Sequence, residues 1–262
     1  MDCLREMAGE PEESRGQCRL CQCASTNGAA SRRLRLRARA AIGVAEGLRW
    51  RAGRDASTIG RASRVRAGDA SGPKMIRLLT PADYCSMPWK NGGGRTTEIA
   101  AHPPCAALDA FVWRVSIADV GRDGPFSPFP GIDRAIVLLE GAGMRLTGDE
   151  RDVEISRPYE PFRFSGDESI ECTLVAGPVR DFNAMFRRGV ASGGITVVRG
   201  GEAAIAPTDF RLAYAATGAH RCVIAGRPPF VLEPGHAAGV ERWENVGAAP
   251  LRIAPFPAAA VA

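Results

Sequence analysis

The residues able to do chemistry gather in the middle of the chain. Met87–Ala100 reads M-P-W-K-N-G-G-G-R-T-T-E-I-A, setting Trp89, Lys90, Asn91, Thr96 and Glu98 around three consecutive glycines. Further along come Arg114 and Ser116 in F-V-W-R-V-S-I-A, Phe126, Ser127 and Phe129 in D-G-P-F-S-P-F-P-G-I-D-R, then Arg134, and Asn183 in D-F-N-A-M. A guanidinium offers a planar fork that fits a carboxylate bidentately, and an ammonium acts as a point charge. Lys90, Arg114 and Arg134 are therefore read as carboxylate anchors, with Asn91, Thr96, Ser116, Ser127 and Asn183 as orienting groups. Glu98 would meet a cationic nitrogen of the ligand, and Trp89, Trp113, Phe126 and Phe129 would form apolar walls. Glycine triplets cost conformational entropy, so Gly93 and Gly94 are assigned to a loop whose backbone approaches the ligand.

Each assignment has a plainer counterpart. The glycines serve equally as a turn, and the tryptophans as core. Arg114 and Glu98 suit an ion pair between strands, Arg134 a surface pair with Asp133 or Asp123, and Asn183 a helix cap.

Other chemistries are poorly provided for. A metal centre of the histidine-and-carboxylate kind needs several such ligands brought together, often two histidines close in sequence. Here His102 stands among prolines, His220 and His236 lie far downstream, and no H-x-H occurs. No metal and no other cofactor is expected. Nucleophilic catalysis lacks a Ser or Cys with a base partner, and G-G-G-R-T-T lacks the ending of a phosphate-binding loop.

The elements that must hold these residues read as strands. Runs rich in β-branched and aromatic residues recur between Gly, Pro and Asp: 76–79, 96–100, 111–118, 134–140, 143–146, 152–155, 162–164 and 170–176. In F-V-W-R-V-S-I-A, Phe111, Trp113, Val115 and Ile117 share one face, opposite Val112, Arg114 and Ser116. A weak repeat of strand, Gly turn and Pro-marked turn joins the two halves, with D-F-N-A-M-F-R-R-G as a short helix or crossover between them. Two small β-barrels in tandem fit this spacing.

The chain has 262 residues, 45% hydrophobic and 24% charged, an ordinary globular composition. Its net charge of +5 is uneven: residues 1–74 carry 15 basic and 8 acidic side chains, and the remainder is slightly acidic. Nothing in that remainder favours nucleic acid, and no run suits a membrane helix. No secretory signal opens the chain, which points to the cytoplasm and away from a disulfide framework for its eight cysteines. Residues 1–74 lack core material and offer at best one basic helix near Ser31–Trp50. They read as an extension from an upstream start site, with Met75 opening the organised chain. A mitochondrial-type presequence is the rival, opposed by Glu10, Glu12 and Glu13.

P-W-K-N-G-G-G-R-T-T-E-I-A, F-V-W-R-V-S-I-A, D-G-P-F-S-P-F-P-G-I-D-R, L-L-E-G and D-F-N-A-M, in that order, resemble the HutD/Ves family, and the triple glycine resembles its HutD side. The resemblance implies an all-β bicupin, with a ligand-bearing barrel over 75–188 and a second barrel over 189–262; the basic, poorly ordered leader over 1–74 has no part in it. It implies association with histidine utilisation and binding of a small anionic metabolite such as formiminoglutamate or urocanate, in a sensing or flux-limiting role. No nucleic acid or membrane partner is expected, and a homodimer is compatible with this reading. The alternatives are a cupin-fold amide hydrolase or isomerase acting on such an intermediate, and a protein-interaction module without ligand.

Overall fold

The computed structural model describes residues 38–46, 75–199, 203–205, 210–224, 227–241 and 251–255. The chain runs through strands β1 (Ala38–Glu46), β2 (Met75–Leu79), β3 (Cys85–Pro88), β4 (Gly94–His102), β5 (Trp113–Val120), β6 (Gly124–Phe126) and β7 (Ile132–Glu140). It continues with β8 (Met144–Gly148), β9 (Arg151–Ile155), β10 (Pro161–Ser165), β11 (Ile170–Leu174), β12 (Val179–Arg187) and β13 (Ala191–Arg199). The last are β14 (Ala203–Ile205), β15 (Phe210–Ala215), β16 (His220–Ile224), β17 (Phe230–Leu232), β18 (Ala237–Glu241) and β19 (Leu251–Pro255).

These strands build the expected all-β architecture, as two halves of two sheets each. A six-stranded sheet in the order β10-β7-β12-β5-β4-β3 and a four-stranded one, β6-β11-β8-β9, make the first half. The second uses β13-β1-β15-β18-β2 and β14-β19-β16-β17. The strand runs read from the sequence fall in β2, β4, β5 and β7–β11. Met75–Leu79, however, crosses over to pair with β18, so the second half's sheet is completed by chain that precedes the first half.

The halves share a core. The six-stranded sheet turns Trp113, Val115 and Ile117 of β5, Ala135, Val137 and Leu139 of β7, and Phe182, Ala184 and Phe186 of β12 outward from its barrel. There they pack on Leu79, Ala191, Leu212, Tyr214 and Ala237 of the second half. The Phe182 and Tyr214 rings sit 5.3 Å apart. With one face against this core and the other inside the barrel, β5, β7 and β12 are buried almost throughout. Strands buried on both faces read as continuous apolar runs, as R-A-I-V-L-L-E does.

Two local expectations fail. D-F-N-A-M-F-R is strand β12 and not a helix, so Asn183 caps nothing. Alternation decides this: Phe182, Ala184 and Phe186 face the shared core while Asp181, Asn183 and Met185 face the barrel. Within the leader, where a helix or no order was expected, Ala38–Glu46 forms β1, parallel to both β13 and β15 and hydrogen-bonded between them. The slot between those strands offers the β1 backbone hydrogen-bond partners on both sides. The rest of the leader lies outside the described residues.

No helix among the described residues is long and apolar enough to cross a membrane. Cys105 is disulfide-bonded, against the expectation from compartment, whereas Cys172 and Cys222 are buried thiols.

Candidate functional site

The barrel-facing side of the first half's sheet is a small grid fixed by strand register. β7, β12 and β5 lie side by side, and one row reads Arg134, Met185, Arg114. The next row reads Ile136, Asn183, Ser116, and the third Leu138, Asp181, Ala118. β4 extends the lower rows with Glu98 beside Ser116 and Thr96 beside Ala118. Strand spacing places the two arginine Cα atoms about 9.6 Å apart. A bulge at Ile99 then sends Ile99 and Ala100 into the shared core.

Above this grid lies a cavity of about 190 Å³. Arg114, Ser116, Arg134 and Asn183 line its floor, and each is at most 8% exposed. Trp89, Lys90, Asn91 and Thr96 reach it from the glycine loop and β4, and Phe126, Ser127 and Phe129 from the opposite lip. Of the fourteen candidate residues these eleven converge on one space.

Three do not. Glu98 is off the wall because it accepts a 2.7 Å hydrogen bond from Arg114 Nε. This is the interstrand ion pair, and it takes Glu98 away from the nitrogen-binding role. Arg114 keeps two terminal nitrogens without a protein partner among the described residues. Gly93 and Gly94 are also off the wall. A Cβ on Gly94 would stand 2.4 Å from the Asp119 carbonyl oxygen and 3.0 Å from the Trp89 ring. The glycine is needed to let β4 close on β5 under the indole. Gly92 takes φ +65° to make the turn that its N–H closes onto the Trp89 carbonyl. Trp89 Nε1 then donates to Thr96 Oγ1 at 2.8 Å, and Asn91 Oδ1 accepts from the Gly93 N–H at 2.8 Å. The loop positions an indole and an amide at the cavity mouth. Trp113, the other tryptophan considered for the wall, belongs to the shared core.

Arg134 is the most enclosed cation. Its Cζ lies 4.6 Å from the Phe164 ring centroid, 5.3 Å from Phe126 and 5.5 Å from Phe129. Nη2 donates to Asn183 Oδ1 at 3.2 Å, and Nε has no partner. Burial lowers its pKa to about 10, partly offset by Asp181. It still carries its charge at neutral pH. The surface partners considered for it are engaged elsewhere: Asp133 with Arg188, and Asp123 with the Leu174 N–H.

Sequence reading missed the acid in this site. Asp181 lines the cavity, is 1% exposed, and accepts from Asn183 Nδ2 through Oδ1 while Oδ2 has no partner. Burial between Leu138 and Ala118 pushes its carboxyl up to about 7, against the pull of Arg134 and Asn183. The signal was present: Asp181, Asn183 and Met185 alternate, as a strand facing a cavity requires. Met87, Pro88, Leu108 and Pro125 also went unrecognised on the wall.

Among the described residues, no three His, Cys, Asp or Glu side chains come together as a cation's ligands would. His102 stacks on Trp113 at 6.0 Å, His220 is buried in β16 of the second half, and His236 lies between β17 and β18. Burial pushes the Cys172 and Cys222 thiols up to about 12, which makes them poor nucleophiles.

Comparison with known proteins agrees with this frame. Residues 81–253 match the family model described as HutD. An uncharacterized 21.2 kDa protein of the hutC 3' region of Pseudomonas putida is 45% identical over 42% of this chain and 58% of its own length. Protein Ves of Citrobacter koseri is 43% identical over 40% of this chain and 56% of its own. The chain thus matches a little over half the length of these two relatives. Among solved structures, a conserved protein of unknown function from Pseudomonas aeruginosa superposes with TM-score 0.61 at 34% identity, over 70% of this chain and 94% of its own. HutD from Pseudomonas fluorescens, determined in a formate condition, gives TM-score 0.50 at 29% identity, over 69% and 94%. On the family match, which covers well over half its length, the chain belongs to the HutD family.

Proposed function

We propose that this protein is a receptor for a small carboxylate, held in the first half's cavity by guanidinium groups and without a metal ion. The observation that carries the reading is the register row that puts Arg114 and Arg134 on one buried floor, facing the same space. Among the described residues, Arg134 donates to no carboxylate and buries its Nε without a partner, while Arg114 keeps terminal N–H groups beyond its pair with Glu98; an enclosed cation in that state is costly unless an anion meets it. Aromatic and aliphatic walls supply the apolar remainder of a ligand pocket. The family and the names of its relatives support a link to histidine utilisation, and formiminoglutamate and urocanate both carry the carboxylate that this reading requires. Binding one of these in the cytoplasm would let the protein sense or limit the pathway's flux.

Calorimetric titration with the two compounds tests this. Both or one should bind, and Arg134→Gln should weaken binding roughly 10- to 100-fold, the worth of a charge-assisted hydrogen bond. Silence from both compounds and from short aliphatic carboxylates overturns the reading.

A second reading is supported by Asp181, whose carboxyl titrates near neutrality as a general acid–base group must. The protein would then be an amide hydrolase or isomerase acting on the same ligand. Mass spectrometry of either compound after incubation at substrate excess would reveal turnover.

A further inference from the structure

Asn183 gives the cavity floor a direction. Its Oδ1 accepts from Arg134 Nη2 and its Nδ2 donates to Asp181 Oδ1, so flipping the amide would break both contacts. One end of this line is thereby fixed as donor and the other as acceptor. The acceptor end is unfinished. Asp181 lines the cavity, and its Oδ2 is buried with no hydrogen-bond partner. A buried carboxylate oxygen left alone costs about 1–3 kcal/mol or more, and most buried polar groups in folded proteins have a partner. Glu98 cannot take that part, because Arg114 occupies it.

We propose that Asp181 is the ligand's second recognition point, its Oδ2 accepting an N–H from an amidine-, guanidine- or imidazole-type group on the far end of the bound carboxylate. This rests on the receptor reading above and names what that receptor selects. Arginine nitrogens take the anion, Asp181 takes the N–H, and a plain carboxylate of equal length forfeits the second contact. A site built to hydrogen-bond a ligand group rejects the analogue lacking it, because its own polar atom stays unpaired.

The same geometry couples binding to pH. Charged and titratable groups acting on Asp181 are Arg134 from β7, Asp119 from β5 and Cys172 from β11. The thiol stays neutral, Arg134 draws the carboxyl down, and Asp119 together with burial holds it up at about 7. A cationic N–H requires the ionised form. Below neutrality Asp181 is protonated in the empty protein and must lose that proton on binding, so affinity falls as pH falls. Above neutrality the dependence levels off. From pH 8 down to pH 6 the loss is about tenfold.

The test uses 4-guanidinobutyrate, whose charge is constant over this range, and 6-methylheptanoate, which has its shape but no N–H. Both are titrated into the wild-type protein and Asp181→Asn at pH 6 and pH 8. Wild type should favour the guanidino compound at pH 8 by about tenfold or more, with most of that preference gone at pH 6. In Asp181→Asn the preference and its pH dependence should vanish. Asparagine keeps the oxygen that Asn183 needs, and the wild-type comparison stands without the variant. Equal affinities in wild type at pH 8, or a preference that survives in Asp181→Asn, overturns the proposal. Failure of both compounds to bind at either pH removes the receptor reading itself.

Discussion

The two halves share an architecture and differ in what they put inside it. The first half's main sheet turns Arg114, Ser116, Arg134, Asp181 and Asn183 toward its interior and leaves a cavity above them. Among the described residues, the second half's interior holds Ala213, Ala215, Cys222, Ile224, Leu232 and Ala238, an apolar cluster of mostly small residues, with His220 as a buried polar side chain on the same strand as Cys222 and Ile224. Each main sheet turns its other face to the shared core, and there the halves are alike. The backbone therefore does not decide where a site arises. Every second residue on three strands does, and replacing guanidinium and amide by methyl groups turns a receptor into filling.

The contrast breaks most visibly at the shared core. Phe182→Ala removes a fully buried ring packed on Tyr214 and should cost about 3–5 kcal/mol, read as a shift in urea midpoint. It should also weaken the ligand, since Asp181 and Asn183 flank it on the same strand. Leu232→Ala, in the second interior, should cost about 2–5 kcal/mol and leave affinity unchanged. If Leu232→Ala weakens the ligand as strongly as Phe182→Ala does, the halves are not functionally separate.

The polar floor sharpens the comparison at smaller cost. Arg114→Gln and Glu98→Gln each strand the other's charge, and each should lower stability by about 1–3 kcal/mol. The double variant should recover most of that loss. Affinity should sort differently: lost wherever Arg114 is replaced, retained in Glu98→Gln. Equal loss in the two single variants would return Glu98 to the ligand.

How much of this was legible depends on which faces a strand exposes to different surroundings. β5 alternates Trp113, Val115 and Ile117 with Arg114 and Ser116, so its polar side was readable before any fold was known. β12 is equally a strand, but Phe182 and Phe186 stand four apart and mimic a helical stripe. Reading it as a helix or crossover hid Asp181, the residue with the least ordinary chemistry in the site. β1 was illegible for another reason. Its partners, β13 and β15, lie about 150 residues or more downstream, and nothing local in R-A-A-I-G-V-A-E announces a parallel slot. The glycine triplet pointed to the right loop and the wrong contact.

That loop supplies the smallest test. Gly94→Ala would drive a methyl into the Asp119 carbonyl across β5, where backbone cannot yield cheaply. Gly92→Ala is milder. Its Cβ would stand 3.1 Å from Arg122 Nη2, the movable end of an exposed side chain, and the remaining cost is the left-handed φ, about 1 kcal/mol. Thermal melts should rank Gly94→Ala below Gly92→Ala. Affinity should follow the same rank, because Gly94 lies under the Trp89 ring and Gly92 does not. A Gly92→Ala protein that melts normally and has lost its ligand would mean that the glycine backbone touches the ligand after all.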